Sequence, residues 1–179
     1  MVSTASAVWI TSDIALDGSY VVTLDINEDT SRILDRHAAI NYALALFETV
    51  GQATYDVAIL RQMQEKLQLP LESAAQVVLD LRERRGLPTH SATAPLIFEG
   101  GVTAKFKPFI VVKVKHGKGR IETLGQWSVE DARNHAFAML DAVVAADLDS
   151  AYYSVLVGRI GIEGPRARNV IDDVANYRV

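Results

Sequence analysis

Cysteine is absent from this chain of 179 residues, which excludes disulfides, thiolate zinc sites and a cysteine nucleophile. The absence fits a reducing compartment such as the cytoplasm. No apolar run approaches the roughly 18 residues that a membrane-spanning helix needs, and residues 1–12 lack the basic start of a secretory signal. We therefore expect a cytoplasmic protein with no membrane partner.

Catalytic motifs are missing as well: there is no phosphate-loop pattern, no dinucleotide fingerprint and no nucleophile elbow. The four histidines have no metal ligand or nucleophile at a diagnostic spacing. His37 and His135 would form a metal or proton-transfer pair only if symmetric packing brought them together, and a position in or beside the core is the simpler interpretation. We predict no catalytic residue, no cofactor and no metal site.

Charge is distributed unevenly along the chain. Residues 1–90 hold 7 basic and 12 acidic side chains, whereas residues 91–179 hold 11 basic and 10 acidic ones. The second half contains a basic stretch with no acid before Glu122, formed by Lys105, Lys107, Lys113, Lys115, Lys118 and Arg120. Such a stretch favours contact with phosphate or with an acidic partner. The alternative is that lysines on an exposed or edge strand prevent sheet-to-sheet aggregation.

Local patterns in the first half predict a β-hairpin and then helices. Residues 7–16 and 19–26 are rich in Val, Ile, Tyr and Thr and flank Asp17-Gly18, a strong two-residue turn signal. Apolar residues then recur at helical spacing, interrupted by Gly51 and ended by Gly86 and Pro88. The pattern predicts three helices, over about 30–51, 53–67 and 71–85.

The second half starts with a non-periodic segment, 86–94, that predicts a linker. Strands are expected at 95–99 and 102–106, paired across Gly100-Gly101, and then at 109–115 and 120–124. Ser128 and Asp131 resemble a capping box that opens a helix, whose predicted inward residues are Ala132, Ala136, Met139 and Val143. Two further helices are predicted to begin at Ser150 and near Pro165.

We predict an α+β fold built by internal duplication. Each of two related units would be a β-hairpin followed by about three helices, and the units would pack about a pseudo-twofold axis. An offset of 98 residues gives seven identities over the 36 positions from Thr30 to Glu65, including His37 with His135 and Tyr55 with Tyr153. The predicted boundaries are 1–86, 87–104 for a linker with extra strands, and 105–179. The alternative is two unrelated helical segments.

Two helical corners have the spacing of a helix-turn-helix. One is formed by Leu156, Ile160, Gly161, Ile162, Ala167 and Val170, with Gly161 in the turn. Arg166 and Arg168 then stand at the start of the second helix, from which a recognition helix reaches base edges. The first half repeats the spacing without glycine, at Met63, Leu67, Gln68, Leu69, Ala74 and Val77. An ordinary helix pair is the alternative interpretation for both corners.

The run from Ala151-Tyr152-Tyr153 through Arg166-Ala167-Arg168 to Tyr177-Arg178 resembles uncharacterised proteins of actinobacteria and their phages. That resemblance implies no catalytic or binding residue. The sequence as a whole favours a non-enzymatic binding or assembly protein with a protein partner and leaves the oligomeric state open. A duplex DNA-binding regulator is the first alternative, and a small-molecule enzyme is the second. The predicted contact residues are Lys113, Lys115, Lys118, Arg120, Arg159, Arg166 and Arg168.

Overall fold

A computed structural model of the chain describes residues 8–14, 20–26, 30–86, 88–92 and 94–175. These residues form an α+β fold, as expected. The elements in chain order are β1 (Val8–Ile14), β2 (Tyr20–Ile26), β3 (Thr30–Leu34), α1 (Arg36–Leu67), α2 (Leu71–Arg85), β4 (Leu96–Val102), β5 (Pro108–Lys115), β6 (Ile121–Ser128), α3 (Val129–Gly158) and α4 (Gly164–Ala175). Within these ranges no helix has the length and hydrophobicity that crossing a lipid bilayer requires.

The strands form two antiparallel sheets of three strands each, in the orders β1-β2-β3 and β4-β5-β6. Side chains alternate between the two faces of each sheet, so every second residue of the central strands is buried. The buried residues are Val22, Leu24 and Ile26 in β2 and Ile110, Val112 and Val114 in β5. Two of the three predicted hairpins, β1–β2 and β5–β6, are therefore present, although the turn Asp17-Gly18 lies outside the described residues.

The third strand, Thr30–Leu34, corrects the prediction that a helix begins at Thr30. It pairs with β2, and only its last residue, Leu34, is fully buried. Helix α1 begins after Asp35, whose carboxylate Oδ1 accepts a hydrogen bond from the Ala38 N–H at 2.7 Å. The helix start is thus fixed by an aspartate cap rather than by the apolar period alone.

Gly51 and Ser150 do not break the long helices, contrary to prediction, because α1 and α3 each run on through these positions. A glycine inside a helix costs about 1 kcal/mol relative to alanine. That cost is small beside the burial of Val50 and Ala53 on either side of Gly51. Within the described residues, each half therefore has three strands and two α-helices instead of two strands and three helices.

Gly100 and Gly101 lie inside β4, so the turn predicted there is wrong. A Cβ at Gly100 would stand 3.0 Å from the Ala53 Cβ, so the absent side chain lets helix α1 approach the sheet. A Cβ at Gly101 would overlap the ring of Phe109 on the neighbouring strand. These glycines serve close packing rather than chain reversal.

Several local predictions are confirmed. Helix α2 has the predicted bounds and ends at Gly86, whose φ is +75°. The Ser128 Oγ accepts a hydrogen bond from the Asp131 N–H at 3.0 Å and donates one to the Asp131 carboxylate, which caps α3. The four residues predicted to face inward from α3 are all buried, and α4 begins next to Pro165.

The described chain divides into two compact units. Unit 1 contains residues 41–137, and unit 2 contains residues 8–40 and 138–175. Unit 1 thus combines most of α1 and all of α2 with the sheet of β4, β5 and β6. Unit 2 combines the sheet of β1, β2 and β3 with most of α3 and all of α4. Each unit therefore takes its sheet from one half of the chain and most of its helices from the other.

The order of elements repeats along the chain, but the 98-residue register does not align them. The long helices start 93 residues apart, at Arg36 and Val129, and so do the short helices, at Leu71 and Gly164. The turns between long and short helix also correspond in this spacing. Gln68 (φ +53°) and Gly161 (φ +76°) both adopt the left-handed conformation, and in each turn the next N–H donates to a carbonyl six residues earlier, at 3.2 and 2.9 Å.

Because unit 1 draws on both halves of the chain, we expect the halves to stay associated when the connection between them is cut. A protease recognition sequence inserted after Ala92 provides the cut. After cleavage the two fragments should co-elute in size-exclusion chromatography and separate only in denaturant, since Ala53 packs on Gly100 and Tyr42 on Phe98. Two separately folded, separately eluting fragments would contradict the composition of unit 1.

Candidate functional site

An apolar groove lies in unit 1 where helices α1 and α2 meet the turn between β4 and β5. It has a volume of about 290 Å³, and we call it the corner groove. Its lining residues are Leu60, Leu71, Ala75, Val78, Leu79, Arg82, Val102, Thr103, Ala104 and Phe106. Only two of these side chains, Thr103 and Arg82, are polar. A groove of this size with an almost entirely apolar lining is suited to apolar side chains of a ligand or partner.

The floor of the corner groove is a small hydrophobic cluster, and its rim is exposed. Leu60, Ala74 and Val78 are buried together, whereas Leu71 and Leu79 remain 46% and 50% exposed. The exposed leucines arise because α2 has apolar residues on two faces, and only the face with Ala74 and Val78 is covered.

The β4–β5 turn supplies the opposite wall through a strained residue. Phe106 has a φ of +56°, a conformation that bulky residues rarely adopt and that costs on the order of 1–3 kcal/mol. Three hydrogen bonds within the turn hold it: Phe106 N–H to the Thr103 carbonyl, Thr103 N–H to the Lys107 carbonyl, and Lys107 N–H to the Thr103 hydroxyl, at 2.9, 2.9 and 3.0 Å. In this left-handed conformation the Phe106 ring packs against the hydrophobic cluster of Leu60, Ala74 and Val78.

A buried ion pair fixes α2 against α1 at one end of the groove. The Asp56 carboxylate is almost fully buried and accepts hydrogen bonds from Arg82 Nε at 2.7 Å and from Arg85 Nη2 at 3.1 Å. Both arginines lie in the last turn of α2, where the helix dipole also stabilises positive charge. A second pocket of about 360 Å³ beside this pair is lined by Gln52, Phe98 and Gly100 among others.

The basic stretch of the sequence is divided by strand β5. Lys105 and Lys107 lie in the turn before the strand, next to the corner groove, and neither forms an ion pair with any residue that the structure describes. Lys115 and Arg120 are exposed at the far end, around the β5–β6 turn. Lys113 lies within the strand and its Nζ is 2.5 Å from the Glu99 carboxylate. The Lys118 side chain lies outside the described residues.

The corresponding corner of unit 2 has a different chemistry. Its pocket of about 370 Å³ is lined by Tyr153, Gly164, Pro165, Arg168, Asn169 and Asp172. Tyr153, Gly164, Arg168 and Asp172 stand 93 residues after Leu60, Leu71, Ala75 and Leu79. A Cβ at Gly164 would lie 2.8 Å from the Tyr153 hydroxyl, so a larger residue there would displace the end of the tyrosine side chain. Arg159 and Arg166 are exposed at this corner and Arg168 is half-buried.

An aromatic cluster in the core of unit 1 contains His135. Its ring lies 4.5 Å from Trp127 and 5.7 Å from Tyr42 between ring centroids. Burial raises the pKa of the Tyr42 hydroxyl and lowers the pKa of His135 to about 4. Neither the Tyr42 hydroxyl nor His135 Nε2 has a hydrogen-bond partner among the described residues. The interpretation of His135 as a core or boundary histidine fits this environment.

The other histidines are dispersed. His37 is exposed, and His116 Nε2 lies 2.9 Å from the Glu122 carboxylate. His90 Nδ1 lies 3.1 Å from a carboxylate oxygen of Glu48 and forms no hydrogen bond with the residues that the structure describes. No group of three or more histidine, aspartate or glutamate side chains that could hold a metal ion occurs in the described part of the chain.

The low pKa of His135 predicts a loss of stability in mild acid. In the unfolded chain His135 binds a proton near pH 6.5, but in the folded chain it does so only near pH 4. Between these pH values protonation of His135 therefore favours the unfolded state, by up to about 3 kcal/mol. Urea unfolding at pH 7, 5.5 and 4.5 measures the loss. His135→Phe should lose less stability than the wild type over this pH range. The exposed control His37→Phe should lose as much stability as the wild type. Parallel curves for all three proteins would contradict the assignment.

Comparison with known proteins found no match to this chain. No protein-family model, no curated protein and no solved structure matches the chain. The resemblance of residues 151–178 to actinobacterial and phage proteins therefore stays a prediction, and residues 177 and 178 of that run lie outside the described residues.

Proposed function

We propose that this chain is a non-enzymatic binding protein that holds an acidic, amphipathic segment of a partner protein in the corner groove. The observation that carries the proposal is the apolar groove at the α1–α2 corner, beside Lys105 and Lys107, which form no ion pair with the residues that the structure describes. Amphipathic helices commonly bind in grooves of this kind through apolar side chains at i, i+3, i+4 and i+7.

The apolar lining supports a protein partner over a polar small molecule. Leu71, Ala75 and Leu79 follow one another at four-residue spacing along α2 and form one wall. Phe106 forms part of the other wall and is held there by the hydrogen bonds of its turn. A wall that is rigid before binding lowers the entropy cost of association.

The charges near the groove support an acidic partner. Lys105 and Lys107 neighbour the lining residues Ala104 and Phe106 and have no ion-pair partner in the described part of the chain. Carboxylates flanking the apolar residues of the partner would lie near these ammonium groups. Complementary charge of this kind raises the association rate and selects against basic segments. Lys115, Lys118 and Arg120 of the β5–β6 turn are proposed as a second, weaker contact with such a partner.

A synthetic amphipathic peptide of about 16 residues, with leucines at i, i+4 and i+7 and glutamates at both ends, tests the proposal by fluorescence anisotropy. We expect saturable binding that Leu79→Asp weakens at least about tenfold, because a buried carboxylate would face apolar side chains. Lys105→Glu combined with Lys107→Glu should weaken binding at low salt and have a smaller effect at high salt.

The matched control is Asp172→Leu, which changes the corresponding position of the unit 2 corner in the opposite direction and should leave the affinity unchanged. A peptide of the same composition in scrambled order should bind poorly. Equal affinity of wild type and Leu79→Asp for the amphipathic peptide, with both folded by circular dichroism, would rule out the corner groove.

Duplex DNA binding at the turn between α3 and α4 is the second candidate. Gly161 occupies that turn in the left-handed conformation, and Arg166 is exposed at the start of α4. These features support a helix-turn-helix. Ile160 and Val170, which such a motif would bury, are 62% and 41% exposed, and Glu163 adds negative charge nearby. Duplex DNA binding is therefore less well supported than protein binding.

If α4 reads DNA, binding to a mixed-sequence duplex should weaken steeply with added salt. Replacing both Arg159 and Arg166 by alanine should lower the affinity at least about tenfold, while Arg84→Ala, an exposed arginine in unit 1, should have little effect. Electrophoretic mobility shifts at 50 and 200 mM salt measure both effects. No shift at the lower salt concentration would remove this candidate.

We also propose that the chain arose by duplication of a module of three strands and two helices. In the 93-residue spacing, eight of the 20 positions from Ala39 to Ala58 are identical to positions 132–151. Burial coincides as well, in the pairs Ala39 and Ala132, Ala43 and Ala136, Leu46 and Met139, Val50 and Val143, Ala53 and Ala146, Asp56 and Asp149, Ala74 and Ala167, and Val78 and Ile171. A pseudo-twofold arrangement of the two copies stays a prediction.

A further inference from the structure

Helix α3 has a second apolar stripe on its exposed side within unit 2. Val143 and Ala146 on one side of the helix are buried. On the exposed side, Val144, Leu148, Tyr152 and Val155 are 57%, 50%, 57% and 42% exposed. We call these four residues the outer stripe of α3. A helix that is apolar on both sides is normally covered on both sides.

Three residues of the outer stripe, Val144, Leu148 and Val155, also belong to a longer series with the spacing of a helix-pairing seam. Residues 144, 148, 151, 155 and 158 follow alternating steps of four and three, which is the a and d pattern of a coiled coil. Two of these positions carry small residues, Ala151 and Gly158, and a Cβ at Gly158 would meet nothing within 4 Å. Small residues at a seam let a second helix approach closely.

The charge on α3 argues against membrane and nucleic-acid partners. No lysine or arginine occurs between Arg133 and Arg159, while the helix carries Asp141, Asp147 and Asp149. Anionic lipid and phosphate surfaces both require cations at this position. The Asp147 carboxylate beside the stripe is matched by Arg36 at 3.1 Å. Because Arg36 neutralises Asp147, two copies of this face can pack together without repulsion between their Asp147 carboxylates.

The exposed area suits a symmetric pair. Four half-exposed side chains of roughly 120 to 200 Å² each offer on the order of 350 Å² of apolar surface per copy. With the surrounding atoms, two copies would bury about 1,000 Å² in total, which is near the minimum for a biological interface and typical of weak, reversible association. We propose that a second copy of this chain covers the outer stripe, giving a twofold-symmetric dimer in which α3 packs against α3. This proposal is independent of the corner groove.

Sedimentation equilibrium of the full chain between about 1 and 200 µM tests the dimer, a range that spans micromolar dissociation constants. We expect a concentration-dependent dimer, and Leu148→Asp should raise its dissociation constant at least about tenfold without changing helicity. Val174→Asp, at an exposed valine of α4, is the matched control and should dimerise like the wild type. A monomer throughout this range, with the stripe left for another partner, would overturn the proposal, as would a dimer unaffected by Leu148→Asp.

Cysteine crosslinking provides a second readout that does not depend on a destabilising change. Because the chain has no cysteine, Ala151→Cys introduces a single thiol on the seam and Ser73→Cys a single exposed thiol on α2. Mild oxidation should link Ala151→Cys into a covalent dimer at a rate at least about tenfold above that of Ser73→Cys. Equal rates for the two variants would overturn the assignment of α3 as the dimer surface.

Discussion

The packing of helix α1 against the sheet of β4, β5 and β6 is the contact on which unit 1 depends. It requires Ala53 on the helix and Gly100 on the strand, because any larger pair would separate the two surfaces. The rings of Tyr42 and of Phe98 on the same sheet pack edge to face, with centroids 5.1 Å apart. The corner groove, the buried ion pair and the His135 cluster all rest on elements that this contact positions.

The ion pair of Asp56 with Arg82 and Arg85 contributes orientation to this packing. A buried carboxylate loses its hydration, and two guanidinium groups largely offset that loss, so the net stabilisation is modest. The geometric effect is larger, since it fixes the last turn of α2 relative to α1. Together with the strained turn at Phe106, the pair keeps both walls of the corner groove in place.

Local chemistry predicted those parts of the fold in which neighbouring residues decide the structure. The two hairpins, the bounds of α2 and the cap at Ser128 follow from turn residues, helix stops and a side-chain hydrogen bond. Predictions failed where tertiary contact outweighs a local signal. Gly51 lies in a helix that continues through it, and Gly100 lies in a strand at a point where Ala53 of helix α1 approaches closely.

The candidate site was less accessible to sequence reasoning for the same reason. The exposed leucines of α2 could be read from its two apolar faces, but Phe106 comes from a distant turn and reaches the groove only through a left-handed backbone. The basic residues are close together in the sequence, but the extended strand β5 separates them in space. Its eight residues separate Lys107 from Lys115 by roughly 25 Å, so the cations form two groups.

The exchange of sheet and helices between the two halves affects how the nascent chain folds. Helices α1 and α2 leave the ribosome before β4, β5 and β6 have been translated, so the apolar surface around Ala53 and Leu60 has no sheet to pack on. Domains whose contacts are local in sequence can fold as they emerge, whereas this chain must wait until Ser128 is clear of the exit tunnel. Synthesis thus includes an interval in which the N-terminal helices are exposed to chaperones and to other unfinished copies.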